Sequence, residues 1–299
     1  MKPTAFYPSR RQLLSLAVLS ITLAGCASVE PEGPPRKELV FAVTAKNDLI
    51  KFNAGQPGRI LDRKALIGIS AGDRLVGIDF RVARGVLYAL AQTGRVYTID
   101  TSSGIAKSLD APPLGELLMG DAVGFDFNPA VDRMRVVTST GQNLRIHPDT
   151  GLMIDGVPDL RGVQPDLPLN YVQGDANAGR RPNVAGAAYT YNKQNEKITT
   201  LYVIDRALGT LAMQGSKEGV TPFVSPDTGQ LRTVGSLGLG ALTDASFDIS
   251  DVAGTPLVAV RTAADPQTRL YLLDLDTGRA TPLGRVGDGS PVIGIAIEP

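Results

Sequence analysis

Val76-Gly77-Ile78-Asp79-Phe80 decides the fold, because its core returns four more times before the C-terminus. The copies are Gly77-Ile78-Asp79-Phe80, Gly124-Phe125-Asp126-Phe127, Gly186-Ala187-Ala188-Tyr189, Ser246-Phe247-Asp248-Ile249 and Gly294-Ile295-Ala296-Ile297. Their first residues stand 47, 62, 60 and 48 positions apart. Two short spacings and two lengthened by about a dozen residues describe one repeat with two loop insertions, close to the ~40–50-residue period of propeller blades. The sequence therefore predicts an all-β protein, a β-propeller of five blades.

Working outward from the first copy, residues 39–43, 48–52 and 60–67 read as three strands that precede it, while the last copy is left over at the other end. The C-terminal strand is thus expected to pair with the first blade and close the ring, which removes both free sheet edges. Residues 76–81, 85–90, 96–100 and 105–109 give the second blade as four β-branched and aromatic runs separated by Gly-containing turns. The third is expected over 123–128, 134–138, 143–147 and 152–154, and the fourth over 184–191, 199–205, 210–213 and 231–234. The fifth takes 245–249, 257–261, 270–274 and 280–283. No window of ten or more residues carries a helical period, residues 111–120 being broken by Pro112, Pro113 and Gly115. With no Trp in the chain, blade packing has to rest on Leu, Val, Ile, Tyr and Phe.

A second repeated element keeps the same register. Asp100-Thr101-Ser102-Ser103-Gly104, Asp149-Thr150-Gly151, Asp227-Thr228-Gly229 and Asp276-Thr277-Gly278 each precede an outermost strand. Asp accepts local backbone hydrogen bonds and Gly takes positive φ without steric cost, so these read as tight hairpins with the aspartates as turn-formers. Four such motifs at blade rims do not make the facing pair that an aspartic protease requires.

Residues 1–25 differ from the rest: Lys2, Arg10 and Arg11 without an acid, then an apolar run from Leu13 to Leu23. That is the pattern of a signal peptide and is too short for a spanning helix, which needs ~20 apolar residues. Leu23-Ala24-Gly25-Cys26 resembles the lipobox of bacterial lipoproteins, which makes Cys26 the expected lipidation site. Ser9-Arg10-Arg11-Gln12-Leu13-Leu14 fits a twin-arginine signal, with general secretory export the alternative. Residues 26–37, with Pro31, Pro34 and Pro35, suit an extended tether, leaving residues 38–299 as one propeller domain. The expected location is the bacterial cell envelope, outside the cytoplasm, with the membrane as partner through lipid on Cys26.

Composition removes several functions. Lys plus Arg equals Asp plus Glu at 30 each, so no basic excess argues for nucleic acid. Cys26 is the only cysteine and His147 the only histidine, which excludes an intrachain disulfide, a cysteine nucleophile in the mature domain and histidine-rich zinc sites. Any metal would be a divalent cation held by oxygen ligands, and no cofactor is predicted. Gly68-Ile69-Ser70-Ala71-Gly72 matches the G-x-S-x-G nucleophile elbow by letter, but it falls between strands of successive blades rather than on a strand-turn-helix corner.

Three sets of residues remain as candidates. Asp79, Asp126 and Asp248 hold equivalent places on the innermost strands, so symmetry brings them near the axis, where they either bond to the backbone of the next blade or act as a cation or acid/base site. The long connection from residue 155 to 183 is where binding residues would concentrate. It offers Tyr171, Asp175, Asn177, Arg180 and Asn183 to a polar ligand. Within it, Asp175-Ala176-Asn177-Ala178-Gly179 begins like a calcium loop, but Arg180 stands where the obligatory Gly would be, which leaves an irregular oxygen site or an Asx-turn.

Leu75-Val76-Gly77-Ile78-Asp79-Phe80-Arg81, Gly85-Val86-Leu87-Tyr88-Ala89-Leu90, Gly124-Phe125-Asp126-Phe127-Asn128-Pro129 and Asp132-Arg133 together resemble a family of exported bacterial proteins catalogued as domain of unknown function 4394. Asp175-Ala176-Asn177-Ala178-Gly179, Ala187-Ala188-Tyr189-Thr190, Thr200-Leu201-Tyr202-Val203-Ile204-Asp205 and Val234-Gly235-Ser236-Leu237-Gly238 extend the resemblance over nearly everything after the tether. Val82 departs from an expected proline and Tyr191 from an expected asparagine. The resemblance implies a repeat-rich, secreted β fold and supplies no catalytic residues. The resulting expectation is a lipid-anchored binding or interaction propeller for an unknown protein, glycan or small molecule. The alternative is an extracytoplasmic hydrolase or lyase using carboxylates near the axis.

Overall fold

A computed structural model describes residues 32–109 and 118–299, together with Met1 and Thr4. The expected signal segment, Cys26 and the first part of the tether lie outside the described residues. Glu32–Pro299 is one compact unit.

The first blade contains β1 (Leu39–Thr44), β2 (Asp48–Asn53) and β3 (Gln56–Ala65). The second has β4 (Leu75–Arg81), β5 (Val86–Ala91), β6 (Val96–Ile99) and β7 (Ala106–Ser108), and the third β8 (Val123–Asn128), β9 (Arg133–Thr138) and β10 (Asn143–Ile146). After β11 (Asn170–Tyr171) comes the fourth blade, β12 (Val184–Tyr189), β13 (Leu201–Asp205), β14 (Thr210–Gln214) and β15 (Gln230–Ser236). The fifth has β16 (Leu242–Ile249), β17 (Pro256–Thr262), β18 (Arg269–Leu273) and β19 (Ala280–Arg285). Finally β20 (Val292–Ile297) joins the first blade as its innermost strand, antiparallel to β1 with Ala42 opposite Ile295. The expected five-bladed propeller, closed by the C-terminal strand, is what the chain forms.

Two details differ from the sequence reading. The third blade has no regular fourth strand: residues 152–154 make one bridge, Met153 to Ile146, before Gly156 and Pro158 turn the chain away. That connection instead supplies β11, which pairs parallel with β15 and gives the fourth blade a fifth strand.

The innermost strands β4, β8, β12, β16 and β20 ring the axis, and their repeated glycines are a consequence of how close they come. A Cβ on Gly77 would lie 2.6 Å from Phe125 Cβ, and one on Gly124 2.7 Å from the Ala187 nitrogen. The same crowding holds for Gly186 against Phe247 and Gly294 against Ile78. At the fifth equivalent place Ser246 uses its side chain, its Oγ accepting from the Ile295 N–H at 2.8 Å. The void at this level is about 10 Å3, room for no more than one water, so the axis is closed rather than a channel.

The core is correspondingly divided into clusters between neighbouring blades. Phe41, Leu75, Phe80 and Tyr97 join blades one and two, while Tyr88, Phe125, Met134 and Leu144 join two and three. Tyr202, Leu211, Phe247 and Val258 join four and five, and Phe52, Leu257, Leu270 and Ile295 join five and one. The cluster between blades three and four is drawn almost wholly from blade four and its insertion, Val137 being blade three's contribution. Its remaining interface is polar.

Gly124→Val should lower stability by about 1–3 kcal/mol through overpacking at the ring, measured by urea unfolding. Gly58→Ala is the comparison, since its added carbon meets only Arg285 O at 3.6 Å and should change little.

Candidate functional site

The axial aspartates are buried and already bonded to backbone. Asp79 Oδ2 accepts from the Phe127 N–H at 2.7 Å, Asp126 Oδ2 from Tyr189 at 2.9 Å and Asp248 Oδ2 from Ile297 at 2.5 Å, each donor lying on the next blade. At the two blades where Ala188 and Ala296 replace the aspartate, the next N–H turns to its own strand: Phe80 donates to Asp79 Oδ1 at 2.8 Å and Ile249 to Asp248. Three carboxylates thus serve five equivalent N–H groups.

Oxygen atoms from the three lie within 4.8 Å of one another. Burial, and for Asp79 and Asp126 the neighbouring aspartates, push their pKa values well up; burial takes Asp248 to about 6. Asp251, beyond the end of β16, is pushed to about 7 by burial and Asp248. The donors are of the type a hard divalent cation takes. Asp79, however, has both oxygens accepting backbone N–H, and the backbone latch is the arrangement found.

The residues expected to bind a ligand on the 155–183 connection do not converge on one cavity. Tyr171 is buried and its Oη donates to Asp205 Oδ2 at 2.9 Å. Asp175 accepts from the Asn177 N–H at 2.8 Å, an Asx-turn, and from both the N–H and hydroxyl of Thr233. Asn177 Nδ2 donates to Thr233 Oγ1, and Asn183 Oδ1 accepts from Arg206 Nε at 2.7 Å. Arg180 is exposed. The first four thereby fasten the connection to the fourth blade. Ser70 is exposed on an inter-blade loop, its N–H donating to Tyr97 Oη, while His147 caps a turn in the third blade.

The Asp-Thr-Gly motifs have a role that the sequence reading missed. In the first copy the motif's own Asp100 makes the turn, accepting from the Ser102 N–H; in the other three the residue two places upstream of the aspartate accepts from its N–H, His147 from Asp149, Ser225 from Asp227 and Asp274 from Asp276. In those three the turn-former is the upstream residue, and the aspartate of the motif is released to reach a base on the preceding blade, whereas Asp100 is the turn-former that its sequence predicts. Asp149 accepts from Arg81, Asp227 from Arg135 at 2.5 Å and Asp276 from Lys217 at 3.1 Å.

At Asp227 this clamp borders a cleft of about 530 Å3 between blades three and four. Arg135, 2% exposed, donates through Nε to Tyr189 Oη at 3.2 Å, through Nη1 to Asn143 Oδ1 and Asp166 Oδ2, and through Nη2 to Asp227. Arg145 reaches both oxygens of Asp166, at 2.8 and 2.7 Å. Burial works against the Arg135 charge, but Tyr189, Asp166 and Asp227 more than offset it; burial likewise opposes the Asp227 charge, and Arg135 and Arg145 hold its pKa below the usual carboxylate value. Burial raises the Tyr189 hydroxyl pKa, keeping it neutral. Above this floor stand Val131 from the β8–β9 turn, Lys197 and Ile198 from the β12–β13 connection, and Phe223 from the β14–β15 connection.

The fold and this cleft define a five-bladed propeller with a polar-floored pocket set off its axis. The chain belongs to the family described as domain of unknown function (DUF4394), whose pattern matches residues 48–296. No curated protein matches it by sequence. The crystal structure of a nidogen/laminin complex is similar at TM-score 0.47 and 12% identity, covering 88% of this chain and 98% of that one. A putative 6-phosphogluconolactonase from Bacteroides uniformis gives 0.41 and 13%, covering 83% and 82%. Kuenenia stuttgartiensis hydrazine synthase gives 0.39 and 10%, covering 74% and 53%.

Asp166→Ala would leave Arg135 and Arg145 without their buried counter-ion and should cost about 3–5 kcal/mol. Arg135→Met with Asp166→Leu should lose less, compared by denaturant unfolding. The axial group predicts an opposite pH trend from ordinary ion pairs. Asp248 and Asp251 have folded pKa values raised from 3.8, so their stabilising contribution is full below that value and lost as pH rises through about 6 and 7. The melting temperature should therefore fall between pH 5 and pH 8, and Asp251→Asn should flatten the decline.

Proposed function

We propose that the chain is a bacterial lipoprotein, anchored in the cell envelope through Cys26, whose propeller is a non-catalytic binding module taking a small-molecule ligand in the cleft between blades three and four. The observation that carries this reading is the cleft itself. Its volume of about 530 Å3 falls in the range of small-molecule sites, and it sets polar groups on a rigid floor beneath apolar walls. The axial carboxylates, on which an enzymatic reading would rest, are buried and bonded to backbone. Among the described residues no helix is long and apolar enough to cross a membrane.

One observation favours the alternative, an extracytoplasmic hydrolase or lyase with carboxylates near the axis. Asp251 lines a second cavity of about 260 Å3 together with Arg81, Tyr191 and Glu196, and its pKa of about 7 suits an acid/base group at neutral pH. Turnover of an envelope polymer that disappears in Asp251→Asn would favour that reading over the binding module.

The binding reading is tested by thermal stability in the presence of glycans, organic acids and divalent cations, since a ligand selective for the folded form raises the melting temperature. A stabilising ligand should lose its effect in Ala130→Trp, which fills the cleft from its wall. An undiminished effect would place binding elsewhere. Mass spectrometry of the membrane fraction should find Cys26 as a diacylglyceryl-modified N-terminus, and Cys26→Ser should release the protein from membranes; an unmodified Cys26 still joined to its leader would contradict the anchor.

A further inference from the structure

Resting on that reading of the cleft, we propose that its ligand is an amphiphile: an apolar chain or ring carrying one anionic head group, admitted from the face of the propeller at which the tether arrives. Three observations converge on this chemistry. The first is the walls. Phe223 is 66% and Val131 56% exposed, on connections from two different blades, and Ile154, Ile198 and Pro226 continue the surface inward. Single exposed apolar residues are ordinary, but a set converging on one cavity marks a place that an apolar partner covers.

The second is charge. Arg135 and Arg145 on the floor are matched by Asp166 and Asp227. Lys197 and Arg133 on the wall make no ion pair with a carboxylate among the described residues, the Arg133 guanidinium donating instead to the carbonyls of Val131 and Asp132. Glu218, the remaining acid of the wall, accepts from Thr190 Oγ1 and Asn192 Nδ2. Tyr189 Oη, also on the cavity lining, accepts from Arg135. An anion gains two cations that no carboxylate engages, Lys197 and Arg133; a cation meets only acids already engaged.

The third is position. The cleft opens among the β8–β9 and β12–β13 connections, at the end of the ring where the innermost strands finish. The chain enters the domain at that same end: Val40 pairs with Ile297, and Glu38 Oε1 accepts from Thr255 Oγ1 on the β16–β17 connection. Cys26 precedes Glu38 by 12 residues, a contour of at most about 40 Å. A lipid on Cys26 would keep the cleft-bearing face within that length of a bilayer, the richest source of anionic amphiphiles. A soluble organic acid with an apolar body shares the same chemistry.

The test uses the folded protein with 8-anilinonaphthalene-1-sulfonate as a fluorescent occupant, displaced by decanoate, decanol or decyltrimethylammonium. Decanoate should displace it at a concentration at least about tenfold below the other two, one factor of ten in affinity being about 1.4 kcal/mol. Phe223→Ser should weaken all three, and Lys197→Glu with Arg133→Glu should abolish the preference for decanoate; these side chains are on the surface and leave the core intact. In a second arm, transfer of fluorescent phosphatidylglycerol out of vesicles into the protein assigns a membrane source, and decanoate binding without transfer assigns a soluble acid. Equal displacement by decyltrimethylammonium, or by decanol, overturns the anionic amphiphile while leaving the cleft as a binding site. Fluorescence unaffected by both Ala130→Trp and Phe223→Ser removes the cleft as well.

Discussion

The bond between an axial aspartate and the backbone of the next blade is the constraint around which the ring is built. Packing five inner strands so closely that a Cβ cannot fit at Gly77 or Gly124 takes the neighbouring N–H groups away from water, and a buried N–H without an acceptor is costly. Asp79, Asp126 and Asp248 supply acceptors to all five strands because two of them also bond within their own strand. The cost is three carboxyl groups within 4.8 Å in a buried place, which is why their pKa values rise rather than fall. The same crowding that makes them resemble an acid/base constellation in the sequence removes the room in which such a constellation would work.

A second layer of constraint lies at the rims. The Asp-Thr-Gly aspartates are free to reach a base on the preceding blade because the residue two places upstream has taken over the turn. Between blades two and three and between four and five these clamps supplement an apolar interface. Between three and four they become the interface, since blade three supplies little apolar surface there and lacks a regular outer strand. Asp166, carried in by the inserted connection, completes a set of two arginines and two aspartates in which Arg135 and Asp166 are buried and Arg145 and Asp227 half-buried. Such a network holds geometry firmly, because each member left unpaired would be a desolvated charge.

What could be read from the sequence follows from this division. Residues under the ring constraint repeat, so the blade count, the closing strand and the axial position of Asp79, Asp126 and Asp248 were legible from the repeated copies, while the choice between a backbone bond and an acid/base site was left to the structure. Residues at the cleft do not repeat. Arg135 and Arg145 lie in strands that otherwise read as ordinary alternating runs, and Asp166 lies in a connection where a charged residue normally means solvent. The available signal was the charge of Arg135 at a buried strand position, which on physical grounds demands a counter-ion. The polar residues that were singled out, Tyr171, Asp175, Asn177 and Asn183, have donors and acceptors in the right kinds but meet them within the fourth blade. Composition identifies hydrogen-bonding capacity and cannot tell whether the chain itself consumes it.

Repeat proteins place function where symmetry is broken, and here the breaks are the two lengthened spacings. Both insertions reach the same interface: the first leaves blade three short of a strand and delivers Asp166, while the second lengthens the β14–β15 connection and delivers Phe223 and Asp227. With five equal blades the interface between three and four would close on an apolar cluster as the other four do. An insertion that merely decorated a loop would leave its polar residues in water and its apolar residues scattered. Instead the two together exchange an apolar seam for a fixed ionic floor under an apolar opening, a combination that adds nothing to ring closure and that a ligand of mixed character would complete.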